Sequence, residues 1–236
     1  MLLRVSQALN PEELSKVLKL VSSASWAGGR ITAGSQSGAV KNNLQLPEDL
    51  PAAQQARHIV PVALARNPMF VTGALQKSVY PPLFNRYSGT TNAFGNHIDN
   101  AVRTHAASVR HVRTDISCTL FLSDPETYAG GELIIQDTYG EQSVKFSAGD
   151  LVMYPGTSVH RVEPVTSGTR FACFFWVESM VRSDAQRRLL YDMDMAITAL
   201  RQKDLDIARD RATPESGEVL RLTGCHHNLL RMWADV

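Results

Sequence analysis

Between residues 116 and 177 the chain repeats one device: a short apolar run, then a turn signal. The runs are 116–122, 132–136, 143–146, 151–154, 160–163 and 169–177, rich in β-branched and aromatic residues. Asp124-Pro125, Gly130-Gly131, Tyr139-Gly140, Gly149-Asp150, Pro155-Gly156 and Ser167-Gly168 punctuate them. Runs of this length, broken this often, read as strands. Many short strands in close succession fold as a sandwich or jelly roll. The β-rich texture starts near Pro81.

Both flanks read as helical. Asn10 caps, Pro11 fits the first turn and Glu13 closes a capping box; Leu14, Val17, Leu18 and Val21 then share one stripe. Residues 22–37 are rich in Gly and Ser and read as a loop, with Trp26 as an anchor. A second helix is expected from Leu46-Pro47-Glu48-Asp49 to Arg66, kinked or divided at Pro61. Ser183-Asp-Ala-Gln186 opens a long helix bearing Leu190, Met193, Ile197 and Leu200. Residues 213–217 break it, and a last helix carries Leu220, Leu229, Leu230 and Trp233. The expected class is α+β: a jelly-roll core at 80–178, an N-terminal helical region at 1–79 and a C-terminal one at 179–236.

Composition narrows the function. Among 236 residues the formal net charge is +1, so no basic field exists to draw in nucleic acid or an anionic membrane. No apolar stretch reaches the ~18 residues of a membrane span. The start, Met1-Leu-Leu-Arg-Val-Ser6, does not read as a signal peptide, because Arg4 interrupts a short apolar stretch. Cys118, Cys173 and Cys225 are too few for a disulfide framework. The expected compartment is a reducing cytoplasm, which favours a ferrous site.

His97-Ile98-Asp99 holds the chemistry. In an extended strand residues i and i+2 share a face, so both side chains could enter one metal site. His160, after the turn at Pro155-Gly156, is the third ligand candidate. Two histidines and a carboxylate can occupy one face of Fe(II) and leave three positions open. Arg170, ten residues later in an apolar run, needs a carboxylate partner: the distal carboxylate of a keto acid, or an internal Asp or Glu. Arg161 adjoins His160 and points to the opposite face. Arg113 and Asp115 share a strand face, as an ion pair or as pocket lining. Together His97, Asp99, His160 and Arg170 point to a non-haem iron oxygenase using 2-oxoglutarate.

The strings Pro81-Pro-Leu-Phe-Asn-Arg-Tyr-Ser-Gly89, His97-Ile-Asp99, Gly130-Gly-Glu-Leu-Ile-Ile-Gln-Asp-Thr-Tyr-Gly140 and Asp184-Ala-Gln-Arg-Arg-Leu-Leu190 carry a resemblance. The chain resembles the prolyl/lysyl-hydroxylase branch of the Fe(II)/2-oxoglutarate dioxygenases, and within it the bacterial PKHD-type hydroxylases, the PiuC-like group. The resemblance implies a double-stranded β-helix, with His97, Asp99 and His160 as catalytic iron ligands and Arg170 as the 2-oxoglutarate anchor. It makes Tyr87 a cosubstrate contact; an ordinary core tyrosine is the other reading. It implies hydroxylation coupled to oxidative decarboxylation of 2-oxoglutarate, dioxygen as the oxidant and L-ascorbate as reductant. In prolyl hydroxylases a tyrosine on the next strand helps hold the distal carboxylate; here that strand offers Thr119, Leu120 and Phe121. The resemblance points to a small-molecule substrate linked to iron or siderophore uptake, and leaves a peptidyl side chain open.

Other readings stand beside this one. A non-catalytic, cupin-like metal-binding jelly roll would use the histidines and Asp99 but leave Arg170 without a role. A nucleic-acid demethylase on the same scaffold would need a basic stripe. Cys225-His226-His227 reads as a structural or surface group, since adjacent helical residues point about 100° apart. His105 and His111 read as surface or pocket-entrance histidines. Trp26 and Lys41-Asn42-Asn43 could border the pocket. The terminal helical stripes exceed what a jelly roll needs, so a homo-oligomer is expected.

Overall fold

The computed structural model describes residues 1–32, 35–105, 109–208 and 216–236. Two antiparallel sheets face each other. The larger runs Leu3–Val5, Leu151–Pro155, Ile116–Phe121, Arg170–Ser179, Leu83–Tyr87, Leu44–Gln45 and Ala27–Gly28. Gln76–Val79 pairs with the far end of Arg170–Ser179. The smaller runs Gly140–Val144, Leu133–Asp137, His160–Val162, Ala93–His97 and Lys41–Asn42. These two sheets form the expected jelly-roll core.

The central strands explain the layering. Ile116–Phe121 is buried at every position, because both faces of its sheet are covered. Cys118 and Leu120 join Phe175 and Val177 against Val17, Val21, Val60, Leu64 and Phe70 of the N-terminal helices. Phe121 turns the other way, with Tyr87, Val152 and Tyr154, onto Leu133, Ile135 and Val162 of the smaller sheet. Each fully buried side chain of this kind contributes roughly 1.5–3 kcal/mol. The larger sheet is thus the middle layer, and the cavity lies on its inner face.

The helix Pro11–Ser22 starts as its sequence dictates. Asn10 Oδ1 accepts from the Glu13 amide at 2.9 Å, and Glu13 Oε2 accepts from the Asn10 amide at 3.1 Å. The second helix departs from expectation. It begins at Pro51, after an uncapped Leu50, and runs unbroken to Ala65 through Pro61. Pro61 removes one helix donor. Burial of Val60, Ala63 and Leu64 in the core outweighs that loss. The stretch read as a loop holds a strand at Ala27–Gly28, a turn of 3₁₀ helix at Gly29–Thr32 and a helix at Ser35–Val40. A short helix, Pro68–Ala74, capped by Asn67, went unanticipated.

At the C-terminal end Asp184–Ala208 and Gly217–Trp233 pack on each other. The Gln186 amide donates to Ser183 Oγ at 3.4 Å, one half of the expected box. Of the expected break, Thr213, Pro214 and Glu215 lie outside the described residues; Ser216 caps the last helix. No helix among the described residues is long and apolar enough to cross a membrane.

Candidate metal centre and its cavity

His97 ends the strand Ala93–His97, and register places it opposite His160. Their ring centroids are 4.1 Å apart. Asp99 lies two residues past the strand, in irregular chain. The shared strand face expected for His97 and Asp99 is therefore not what joins them. Ser117 and Trp176, opposite each other on the larger sheet, do so. Ser117 Oγ donates to Asp99 Oδ2 at 2.6 Å, and the Trp176 indole stands beside this carboxylate and favours its charged form. His160 Nε2 stands 3.7 Å from Asp99 Oδ2. One ligand atom from each of His97, Asp99 and His160 lies within 4.8 Å of the other two.

Backbone carbonyls fix the imidazoles. His97 Nδ1 lies 2.8 Å from the Gly95 carbonyl oxygen and His160 Nδ1 3.1 Å from that of Ser158. A carbonyl only accepts, so each ring donates from Nδ1 and turns its Nε2 toward the metal position. Phe94 stacks on His97 at 3.6 Å between centroids, and the edge of Tyr154 meets His160. Burial, then the adjacent His160, pushes the His97 imidazolium down to about 4, so the ring is neutral near pH 7. Burial opposes the Asp99 carboxylate, but His160, Ser117 and Trp176 outweigh it and hold its pKa below the ordinary value. Two imidazole nitrogens and one carboxylate suit six-coordinate Fe(II) with three positions open.

Arg170 opens the strand Arg170–Ser179, opposite Tyr87, and is 1% exposed. It lines the same cavity as the three metal-ligand candidates. Its guanidinium lies over the rings of Tyr87 (5.1 Å) and Phe121 (5.4 Å). Nε and Nη2 are buried and have no hydrogen-bond or ion-pair partner among the described residues. An internal salt bridge, one of the two readings of this residue, is therefore absent among the described residues. A buried guanidinium with bare donors fits a carboxylate from outside the chain. The buried Tyr128 hydroxyl, also without a geometric partner, stands beside it. Gly131 keeps the space open: a Cβ there would lie 3.0 Å from Arg170 Cδ.

A model of the 2OG-Fe(II) oxygenase superfamily matches residues 82–178, and one of the PKHD-type hydroxylase C-terminal domain matches residues 184–235. A PKHD-type hydroxylase from a Polaromonas species is 53% identical over 235 residues, 100% of each chain. This chain belongs to the PKHD-type hydroxylases. It is accordingly an oxygenase whose cofactors are Fe(II) and 2-oxoglutarate. Among solved structures, a prolyl hydroxylase from Trichoplax adhaerens in complex with a hypoxia inducible factor peptide fragment gives a TM-score of 0.55 at 14% identity. That match covers 80% of this chain and 86% of the other. A Pseudomonas putida prolyl-4-hydroxylase gives 0.50 at 16% identity, over 75% and 92%. At such identities these likenesses show the shared jelly-roll fold.

The weaker sequence signals separate in this PKHD-type hydroxylase. Tyr87 is 1% exposed, lines the cavity and accepts from Asn85 Nδ2 at 3.1 Å. Lys41 lines the cavity too; Asn42 turns outward to the Thr90 carbonyl, and Trp26 packs on Phe171 instead. Arg113 pairs with Asp115 at 2.7 Å and Glu178 at 3.4 Å, a structural cluster outside the cavity. Arg161 faces away from the site, onto Glu141 and Glu163. His105 meets the edge of Tyr80, and exposed His111 contacts Thr104; neither lines the cavity. His226 and His227 join no metal-ligand group among the described residues.

Ser117, Trp176 and Tyr128 escaped sequence reading. One signal existed: Ser117 and Thr119 place hydroxyls at alternate positions of an otherwise apolar run.

Proposed function

We propose that His97, Asp99 and His160 hold Fe(II) and that Arg170 anchors the distal carboxylate of 2-oxoglutarate, with Tyr128 as its second contact and Tyr87 as the wall beneath it. One observation carries this reading: a buried guanidinium with bare donors shares a cavity with three converging ligand atoms. Fe(II), when bound, supplies the redox chemistry that couples decarboxylation of 2-oxoglutarate to hydroxylation of a substrate carbon.

The chain's own residues do the rest. The Gly95 and Ser158 carbonyls hold the Nδ1 protons and so aim both Nε2 atoms. Ser117 fixes the Asp99 carboxylate. Arg170 orients the cosubstrate through two parallel N–H donors, the geometry a guanidinium favours. Phe94 and Tyr154 exclude water from the histidines. A metal-binding protein without oxygenase activity would leave the Arg170 donors without use.

We place the catalytic unit at 80–178, between helical regions at 1–79 and 179–236. The acceptor is a small molecule or a peptidyl side chain, with dioxygen as co-reactant and ascorbate as the reductant that restores Fe(II). A cytoplasmic setting suits a ferrous enzyme with three free cysteines. Exposed Leu189, Leu220 and Met232 on the C-terminal helices support a homo-oligomer. Substrate-independent conversion of 2-oxoglutarate to succinate tests the site. It should need Fe(II), vanish in His97→Ala, and in Arg170→Met require far more 2-oxoglutarate. Unchanged KM in Arg170→Met would remove the anchor role.

A further inference from the structure

The two C-terminal helices, Asp184–Ala208 and Gly217–Trp233, form a hairpin with more apolar surface than it uses. Arg201 Nη2 donates to Thr223 Oγ1 at 3.0 Å, and His226 stands beside the Leu190 backbone, so the helices run antiparallel. Leu190 and Ile197 of the first and Val219 and His226 of the second are buried. A second stripe runs along each helix. On the first it is Leu189, Met193, Ala196 and Leu200, within about 60° of one another at about 100° per residue. Leu189 is 51% exposed and Leu200 38%. On the second it is Leu222, Cys225, Leu229 and Met232, within about 80° of one another. Met232 is 74% exposed, and Cys225 is exposed as well. Alternating steps of three and four residues are those of a coiled-coil seam.

Each stripe is turned about 90° from the buried stripe of its own helix, in the same rotational sense. Because the helices run antiparallel, that sense brings both stripes to one side of the hairpin. On the other side of Asp184–Ala208 the short helix Pro68–Ala74 packs, with Thr72 Oγ1 donating to Asp194 Oδ2 at 2.6 Å. The open side is large. Its two stripes expose roughly 500 Å² of apolar surface, near the top of what a monomer shows in one patch. With a polar rim it approaches the ~800 Å² per partner of a standard interface.

The stripes hold no charge, and their rim holds both signs: Arg188 and Asp192 on one helix, Glu218 and Arg221 on the other. A mixed rim sets up no net field toward an anionic lipid surface or nucleic acid, and it complements itself. One seam takes one helix; two seams side by side take a helix pair. We propose that this face binds a second copy of the chain, the two hairpins closing a four-helix bundle about a two-fold axis. The inference deepens the homo-oligomer proposed above and rests on that reading. It sets the copy number at two and puts the interface in the region matched by the PKHD-type C-terminal domain, apart from the residues that line the cavity.

The test is sedimentation velocity on the full chain across the micromolar range. The wild type should sediment as a dimer. Leu189→Glu and Met232→Glu, one in each stripe, should each weaken association about 100-fold. Val62→Glu, at a position 47% exposed on the helix Pro51–Ala65, should leave the dimer intact. Substrate-independent succinate formation should persist in all three, which shows that they fold. Cys118 and Cys173 are buried, so a maleimide reads Cys225 alone. Labelling should be slow in the wild-type dimer and fast in Leu189→Glu. An assembly that survives both Glu variants, or Cys225 labelling equally fast in both proteins, overturns this face and leaves the homo-oligomer standing. A wild type monomeric throughout overturns both. If that monomer co-sediments with phosphatidylcholine vesicles, the face belongs to a lipid surface instead.

Discussion

Replacing Lys41 with methionine should stabilise the metal-free protein, by an amount that depends on pH. Burial, then Arg103, lowers the Lys41 pKa from 10.5 to about 8, with Asp99 pulling the other way. An unfolded chain restores the ordinary value. The gap corresponds to roughly 3 kcal/mol. Below pH 8 both states hold the proton, and the folded state bears the whole cost of the buried charge. Between pH 8 and 10.5 folded Lys41 releases its proton before the unfolded chain does. The unfolded state then binds more protons, so wild-type stability rises with pH relative to a variant lacking the amine. Urea unfolding of both proteins at pH 7 and pH ~9.5 measures this. The advantage of Lys41→Met should shrink by about 2 kcal/mol on going to the higher pH. Packing changes enter both values alike and cancel, as do the buried thiols of Cys118 and Cys173. An advantage that stays constant, or grows with pH, would refute the claim that Lys41 carries a desolvated charge.

Three further outcomes follow from the geometry. Ser117→Ala removes the 2.6 Å bond to Asp99 and should weaken Fe(II) affinity about 10–100-fold, read by metal titration with little change in melting temperature. Gly131→Ala places a methyl 2.7 Å from Val165 Cγ2 and 3.0 Å from both Arg170 and Tyr128, at φ +69°, so KM for 2-oxoglutarate should rise while metal binding holds. Asn10→Ala breaks the capping box of Pro11–Ser22 and should cost about 1 kcal/mol in urea unfolding without altering activity.

Much of the core was legible because turn chemistry is local. Gly149-Asp150 and Ser167-Gly168 mark strand ends wherever they stand, and Gly149 and Gly168 adopt positive φ. Among the strands missed, Leu3–Val5 and Ala93–His97 hold no such cue; Gly95-Asn96 even argues against a strand, and sheet partners alone make it one. Pro61 misled for the complementary reason, since burial of the same helix face overrides a local penalty.

The candidate site was legible by residue type but not by geometry. His97, Asp99, His160 and Arg170 do meet in one cavity, yet through cross-strand register and the Ser117–Trp176 pair rather than strand alternation. Such pairings join residues about 60 positions apart, and single-sequence periodicity holds no information on them. Tyr128 escaped for the same reason.

The most direct measurement is anaerobic addition of Fe(II) and then 2-oxoglutarate to the metal-free protein, recorded as a visible spectrum. A metal-to-ligand charge-transfer band should develop in the wild type, vanish in His97→Ala and His160→Ala, and need far more 2-oxoglutarate in Arg170→Met. Bound Fe(II) with no band at any 2-oxoglutarate concentration, or a band indifferent to His97 and His160, would contradict the assignment of this cavity.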